Sequence, residues 1–152
     1  MKTIPLTIGV SAIVDDEDYE WAMQWNWFRD GDGYAQRTGP GRKRIAMHVE
    51  IAKRAGLPPS PMYDHRDLNP LNNCRGNLRP CNKSLNAANS RKRPFCTSKY
   101  KGVTWNRRER KWKSRITVMN KEISLGTFTD EREAASAYQT AAVKHFGEFA
   151  RV

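Results

Sequence analysis

Asp64 and His65 stand side by side in Tyr63-Asp64-His65, with Asn77-Leu78-Arg79 and then Asn86 following. The intervals can bring a carboxylate, an imidazole and two amides around one divalent metal. Such a set can hydrolyse a phosphodiester. That reaction needs a group to deprotonate water, a charge to offset the one developing on the phosphate, and help for the leaving oxygen. A hard cation, magnesium or manganese in its place, serves the last two needs. It requires only one or two protein oxygens, with water and phosphate oxygens completing its shell. Asp64 offers a carboxylate oxygen and Asn86 an amide oxygen. His65 has an intrinsic pKa near neutrality, which suits a general base. Asn77 can hold the imidazole by a hydrogen bond; without such a partner its tautomer and angle are left free.

Positioning these groups calls for a hairpin and a helix. Adjacent strand residues point to opposite faces, so Asp64 and His65 must lie at a strand end or bend to serve one phosphate. Pro70-Leu71-Asn72-Asn73-Cys74 reads as a loop, with Asn72 and Asn73 as turn residues. Asn77-Leu78-Arg79 returns as the second strand, and residues 82–90 form a short helix that brings Asn86 back. Lys83, one helical turn before Asn86, can reach the scissile phosphate or the leaving group.

Upstream, residues 1–53 read as a small antiparallel β region. Strands are expected over 4–8, 11–14 and 34–37, with turns at Gly31-Asp32-Gly33 and Gly39-Pro40-Gly41. Asp15 to Asp18 starts a short helix, and Trp21, Trp25, Trp27 and Phe28 are expected in the core. A second helix is expected over 45–55, ended by Gly56 and Pro58-Pro59. His48, near its start, is open between a packing role and one beside the site.

The chain is strongly basic. Its 152 residues carry 27 Lys and Arg against 16 Asp and Glu, a formal net charge of +11, which favours polyanions. The charge is clustered in Arg91-Lys92-Arg93 and again from Arg107 to Arg115. No apolar stretch approaches the ~20 residues of a membrane span, and a cytoplasmic setting is expected. Three cysteines without a CxxC pair argue against a disulfide framework or a four-cysteine zinc site.

After the basic stretch 91–98 the pattern changes. In Trp112-Lys113-Ser114-Arg115-Ile116-Thr117-Val118, Trp112, Ile116 and Val118 share one face and Lys113, Arg115 and Thr117 the other. That is a half-buried strand with a basic outer face. Residues 101–106 alternate likewise, with Val103 and Trp105 inward. Residues 122–126 give a third strand. A helix follows, with Asp130 and Glu133 in a capping-box pattern, Ala134, Ala137, Tyr138, Ala141 and Ala142 at helical spacing, and Gly147 as its stop. The fold class is therefore α+β: an N-terminal antiparallel β region, a ββα motif, then a three-stranded antiparallel sheet packed on one helix.

Two stretches resemble known families. Tyr63-Asp64-His65, Asn72-Asn73, Asn77-Leu78-Arg79 and the Asn-rich run 82–89 together resemble an HNH endonuclease of the ββα-metal fold, of the phage and group-I-intron type. The resemblance implies that Asp64 and Asn86 ligate the metal, His65 is the base and Asn77 orients it. Asp67 departs from the family's usual Asn. Ser98-Lys99-Tyr100-Lys101-Gly102-Val103, Lys111-Trp112, Leu125-Gly126-Thr127-Phe128 and Glu133-Ala134-Ala135 resemble an APETALA2/ethylene-response-factor DNA-binding domain. There the sheet enters the major groove of double-stranded DNA. The residues this implies at the interface are Lys101, Gly102, Thr104, Asn106, Lys113, Arg115, Thr117 and Ser124, with Arg107 and Arg108 on phosphate. Several outward arginines of the plant members are replaced here, so the target sequence does not carry over.

The expectation is a nuclease domain at 1–90, a basic linker at 91–98 and a DNA-binding domain at 99–152, acting as a monomer and nicking DNA in a phage-infected or bacterial cell. The combination resembles phage homing endonucleases. The alternative is a non-catalytic, sequence-specific DNA-binding regulator with a degenerate nuclease fold.

Overall fold

Alternating apolar residues make the first hairpin. Strands β1 (Lys2–Pro5) and β2 (Ser11–Val14) pair antiparallel with Ile4 opposite Ala12, burying Ile4, Ala12 and Val14. The computed structural model describes residues 1–7, 9–92 and 94–151. Ile8 of the expected first strand, Arg93 of the basic run and Val152 at the end of the last segment lie outside the described residues. The chain is α+β, and its contacts divide it into two compact units, Met1–Asn82 and Lys83–Val152.

In the first unit, helix α1 (Asp16–Ala22) opens with Asp16, Glu17 and Asp18, whose charges favour the positive helix start. Strands β3 (Phe28–Arg29), β4 (Ala35–Thr38) and β5 (Arg44–Ala46) form a second sheet. Helix α2 is Met47–Arg54, two residues shorter at its start than the sequence implied. Ile45 and Ala46 instead pair with Arg37 and Gln36, so ladder hydrogen bonds override the helical pattern there. Strands β6 (Met62–His65) and β7 (Leu78–Cys81) form the hairpin that carries Asp64 and His65. One core joins these pieces: Ile4, Leu6, Val14, Trp27, Met47, Ile51, Tyr63 and Leu78 are all buried in it.

The tryptophans divide. Trp27 is 1% exposed, and its indole N–H donates to the Ala22 carbonyl at 2.8 Å. Trp25 was expected in the core but is 42% exposed, with the Arg37 guanidinium 4.0 Å over its ring. A cation–π contact of this kind holds an aromatic ring at the surface.

A charged cluster ties α1 to the rest of the unit. Asp18, fully buried, accepts from Arg54 Nε at 3.1 Å and from Arg75 Nε and Nη2 at 2.7 and 3.0 Å. Burial alone would raise its pKa, but the Arg75 and Arg54 bonds outweigh that and hold it below the usual aspartate value. A depressed folded pKa contributes stability that is present above the unfolded value and is lost as pH falls through the folded one. Asp18→Asn is therefore expected to cost about 2 kcal/mol near neutral pH. Its deficit against the parent should shrink progressively below about pH 4, which urea melts across that range would read.

In the second unit, helix α3 (Lys83–Asn89) precedes a sheet of β8 (Val103–Asn106), β9 (Lys111–Val118) and β10 (Lys121–Phe128), in order β10-β9-β8. Helix α4 (Glu131–Phe146) covers one face. The Asp130 side chain caps α4 by accepting from Arg132 and Glu133 amides, and Gly147 ends it at φ 51°. Val103, Ile116, Ala134, Tyr138, Ala142 and Phe146 make this unit's core.

The division between units falls before α3, where a break after residue 90 was expected. The reason is physical: the Met119 amide donates to Ser84 Oγ, and Lys101 donates to carbonyls at the far end of the helix.

Gly102 is part of this packing. It sits at φ +72°, and a Cβ there would fall into the Tyr138 ring and 2.7 Å from the Arg115 carbonyl. Gly102→Ala is expected to destabilise the second unit by at least about 2 kcal/mol, summing backbone strain and overpacking. Thr104→Ala, on the strand's other face, should change its melting point little.

Candidate active site

Asp64 and His65 end strand β6, and both are buried, at 4% and 5% exposure. Two separate supports account for that. Asp64 lies directly across from Arg79 on β7, whose Nε and Nη2 donate to Asp64 Oδ2 at 3.0 and 2.8 Å. Arg79 is itself 4% exposed, so the two form a buried ion pair.

His65 is supported by the loop that joins the strands. Its Nε2 lies 3.4 Å from Asn73 Oδ1. An amide oxygen only accepts, so this contact calls for a proton on Nε2 and makes Nδ1 the basic nitrogen of the neutral ring. Burial lowers the His65 pKa, outweighing the opposing pull of Asn73, Asp67 and Asp64. The neutral ring, the form a base needs, is thereby favoured.

Asn73 is 1% exposed, and distant residues aim it. Its amide N–H donates to the Ile13 carbonyl at 2.8 Å, and the Ile13 amide donates to Leu71 at 2.7 Å. The Arg75 amide donates to Asp15 Oδ2 at 2.8 Å. The N-terminal hairpin and α1 thus clamp the loop that holds the imidazole.

Asn77 was expected at the ring. It lies instead in a 3₁₀ turn before β7, with Oδ1 accepting from the Asp67 amide and Nδ2 donating to Asp67 Oδ1 and to the Asn72 carbonyl. The turn spends its side chain on closing the loop. Asp67 is the hub of that closure: Oδ1 also accepts from the Asn69 amide at 2.8 Å, and Oδ2 from Asn72 Nδ2 at 2.7 Å. A carboxylate offers more acceptor sites than an amide, which suits Asp67 to this closure.

Two aromatic neighbours flank the His65 ring. The rings of Tyr34 and His48 lie 5.7 and 5.1 Å from the His65 ring and 5.2 Å from each other. Burial, with the neighbouring His65, pushes the His48 pKa down to about 4, so it is neutral at physiological pH. His48 is therefore beside the site. Tyr34 and Arg79 had no assigned role; the cross-strand position of Arg79 opposite an acid was the signal that could have found it.

Lys83 and Asn86 lie on α3 in the second unit, Lys83 exposed and Asn86 half-buried. The outer face of the C-terminal sheet presents Arg115, Thr117 and Ser124, all exposed, with Thr104 and Lys113 half-buried. Arg107 and Arg108 are exposed in the β8–β9 turn. Some of this face is committed already. Arg115 pairs with Glu122 at 3.3 Å, Lys113 with Glu109 at 3.1 Å, and Asn106 Oδ1 caps the turn by accepting from the Arg108 amide at 3.1 Å. Lys101 and Gly102 are engaged in packing.

Among the described residues no group of three or more His, Cys, Asp or Glu is arranged to hold a metal ion. The expected metal ligands fall in different units, Asp64 on β6 and Asn86 on α3. Among the described residues no helix is long and apolar enough to cross a membrane.

Neither a protein-family model nor a solved structure matches the chain. It is 27% identical over 143 residues to a protein of Acanthamoeba polyphaga mimivirus described as an uncharacterized HNH endonuclease, covering 93% of this chain and 74% of that one. Over 52 residues, 33% of this chain, it is 46% identical to an AP2-like ethylene-responsive transcription factor of Arabidopsis thaliana, of which the match spans 9%. To protein 3.8 of Escherichia phage T7 it is 31% identical over 111 residues, which are 72% of this chain and 91% of that protein, and the chain belongs to the same family as that protein.

Proposed function

We propose that the chain is a metal-dependent DNA endonuclease of the HNH type. The observation that carries this reading is His65, biased toward its neutral form by burial and oriented by Asn73, beside a carboxylate fixed by Arg79. Similarity to an HNH endonuclease over nearly the whole chain supports it.

In this mechanism His65 Nδ1 takes the proton from the attacking water. Asn73 keeps the other nitrogen protonated, and the walls made by Tyr34 and His48 keep the ring from turning. Asp64 and Asn86 would hold Mg²⁺ or Mn²⁺, which when bound offsets charge on the phosphate and on the leaving 3′ oxygen. Lys83, exposed on α3, is suited to the scissile phosphate. The products are a 3′-hydroxyl and a 5′-phosphate. One such centre per chain makes a nick by a monomer the simplest outcome.

Residues 99–152 supply target binding in this reading. Thr104, Lys113, Arg115, Thr117 and Ser124 face the bases, and Arg107 and Arg108 the phosphates. The net charge of +11 supports a duplex DNA partner. Helix α3 folds in the same unit as this reader.

Incubating supercoiled plasmid with the protein and Mg²⁺ tests this. Open circles are expected. Tight, salt-dependent binding with no cutting in Mg²⁺ or Mn²⁺ would instead favour a regulator with an inactive nuclease fold.

A further inference from the structure

Lys101 occupies a position that the APETALA2 resemblance assigns to DNA. Its ammonium is spent elsewhere. Nζ donates to the carbonyls of Ala87, Ala88 and Ser90 at 3.2, 2.6 and 2.9 Å. A lysine has three N–H donors, and these three acceptors use them all. The acceptors sit at the C-terminal end of α3, where last-turn carbonyls and the negative end of the helix dipole favour a cation. Burial lowers the Lys101 pKa, which fits an ammonium drawn out of water onto the helix. The Met119 amide holds the other end of α3 through Ser84 Oγ at 3.3 Å. A helix of 7 residues is too short to persist alone, so these ties and its packing on α4 hold it in place.

We propose that Lys101 is a positioning residue for cleavage rather than a DNA contact: it caps and orders α3, the helix that carries Lys83 and Asn86. The reading module thereby folds a piece of the nuclease motif. The consequence for catalysis rests on the nuclease reading of Asn86; the consequence for α3 does not.

The test compares the full chain with Lys101→Met, which keeps the aliphatic stem, and Lys101→Arg, which keeps a cation. Hydrogen exchange of the free protein over residues 83–90 should accelerate about tenfold or more in Lys101→Met, with β9 unchanged. Nicking kcat should fall about tenfold with KM within about twofold, and Lys101→Arg should restore most of it. The salt slope of DNA binding should stay as in the parent. Parent-like exchange in α3, a loss confined to KM, or a salt slope reduced by about one would each overturn the proposal. A parent that does not cut would sink the nuclease reading, while the exchange and salt arms still decide the role of Lys101.

Discussion

Replacing His65 by alanine is expected to slow single-turnover nicking by about 10²–10⁴-fold while leaving DNA affinity unchanged. The range is what removal of a positioned general base costs. The separation from affinity follows from burial: at 5% exposure, with Nε2 at Asn73 and the Tyr34 and His48 rings beside it, the ring adds little to the charged surface that grips DNA. Asn73→Ala should reproduce part of the loss, because the ring remains but its tautomer is no longer held. A His65→Ala protein that binds poorly and cuts the DNA it does bind at the parent rate would assign the imidazole to binding instead.

Asp64→Ala is expected to destabilise the first unit by about 3–5 kcal/mol, the cost of removing one member of a buried ion pair. Arg79, the other member, is 4% exposed. Removing both charges should recover much of the loss. Asp64→Ala combined with Arg79→Met is therefore expected to melt closer to the parent than Asp64→Ala alone, and a double-mutant cycle in urea reads the coupling. Activity should not return with stability, since no carboxylate remains for the metal. A single Asp64→Ala variant as stable as the parent would mean that the pair carries no net energy. Recovered cutting in the double variant would remove Asp64 from the metal site.

Which parts of this were legible in the residues follows from the range of the interactions. The C-terminal strands and α4 could be read because alternation, the Asp130 cap and Gly147 are local signals. The hairpin of Asp64 and His65 was legible for the same reason. The partner of His65 was not. Asn73 and Asn77 are both loop asparagines within reach of the ring by spacing. Asn73 wins because its backbone is tied to Ile13, some 60 residues upstream, which no local pattern encodes. Ile45 and Ala46 misled for a related reason: their helical spacing gives way to a ladder with β4. Lys101 is assigned to DNA by the family resemblance alone, and only the return of α3 to the same unit shows where its ammonium goes.

The most direct test of the central claim is one plasmid assay that reads both product and chemistry. Parent and His65→Ala proteins are incubated with the same supercoiled DNA and Mg²⁺, with an EDTA control, and the ends of the nicked strand are analysed. The expected result is nicking by the parent alone, abolished by EDTA, leaving a 3′-hydroxyl and a 5′-phosphate. Equal cutting by both proteins, or cutting that survives EDTA, would contradict it.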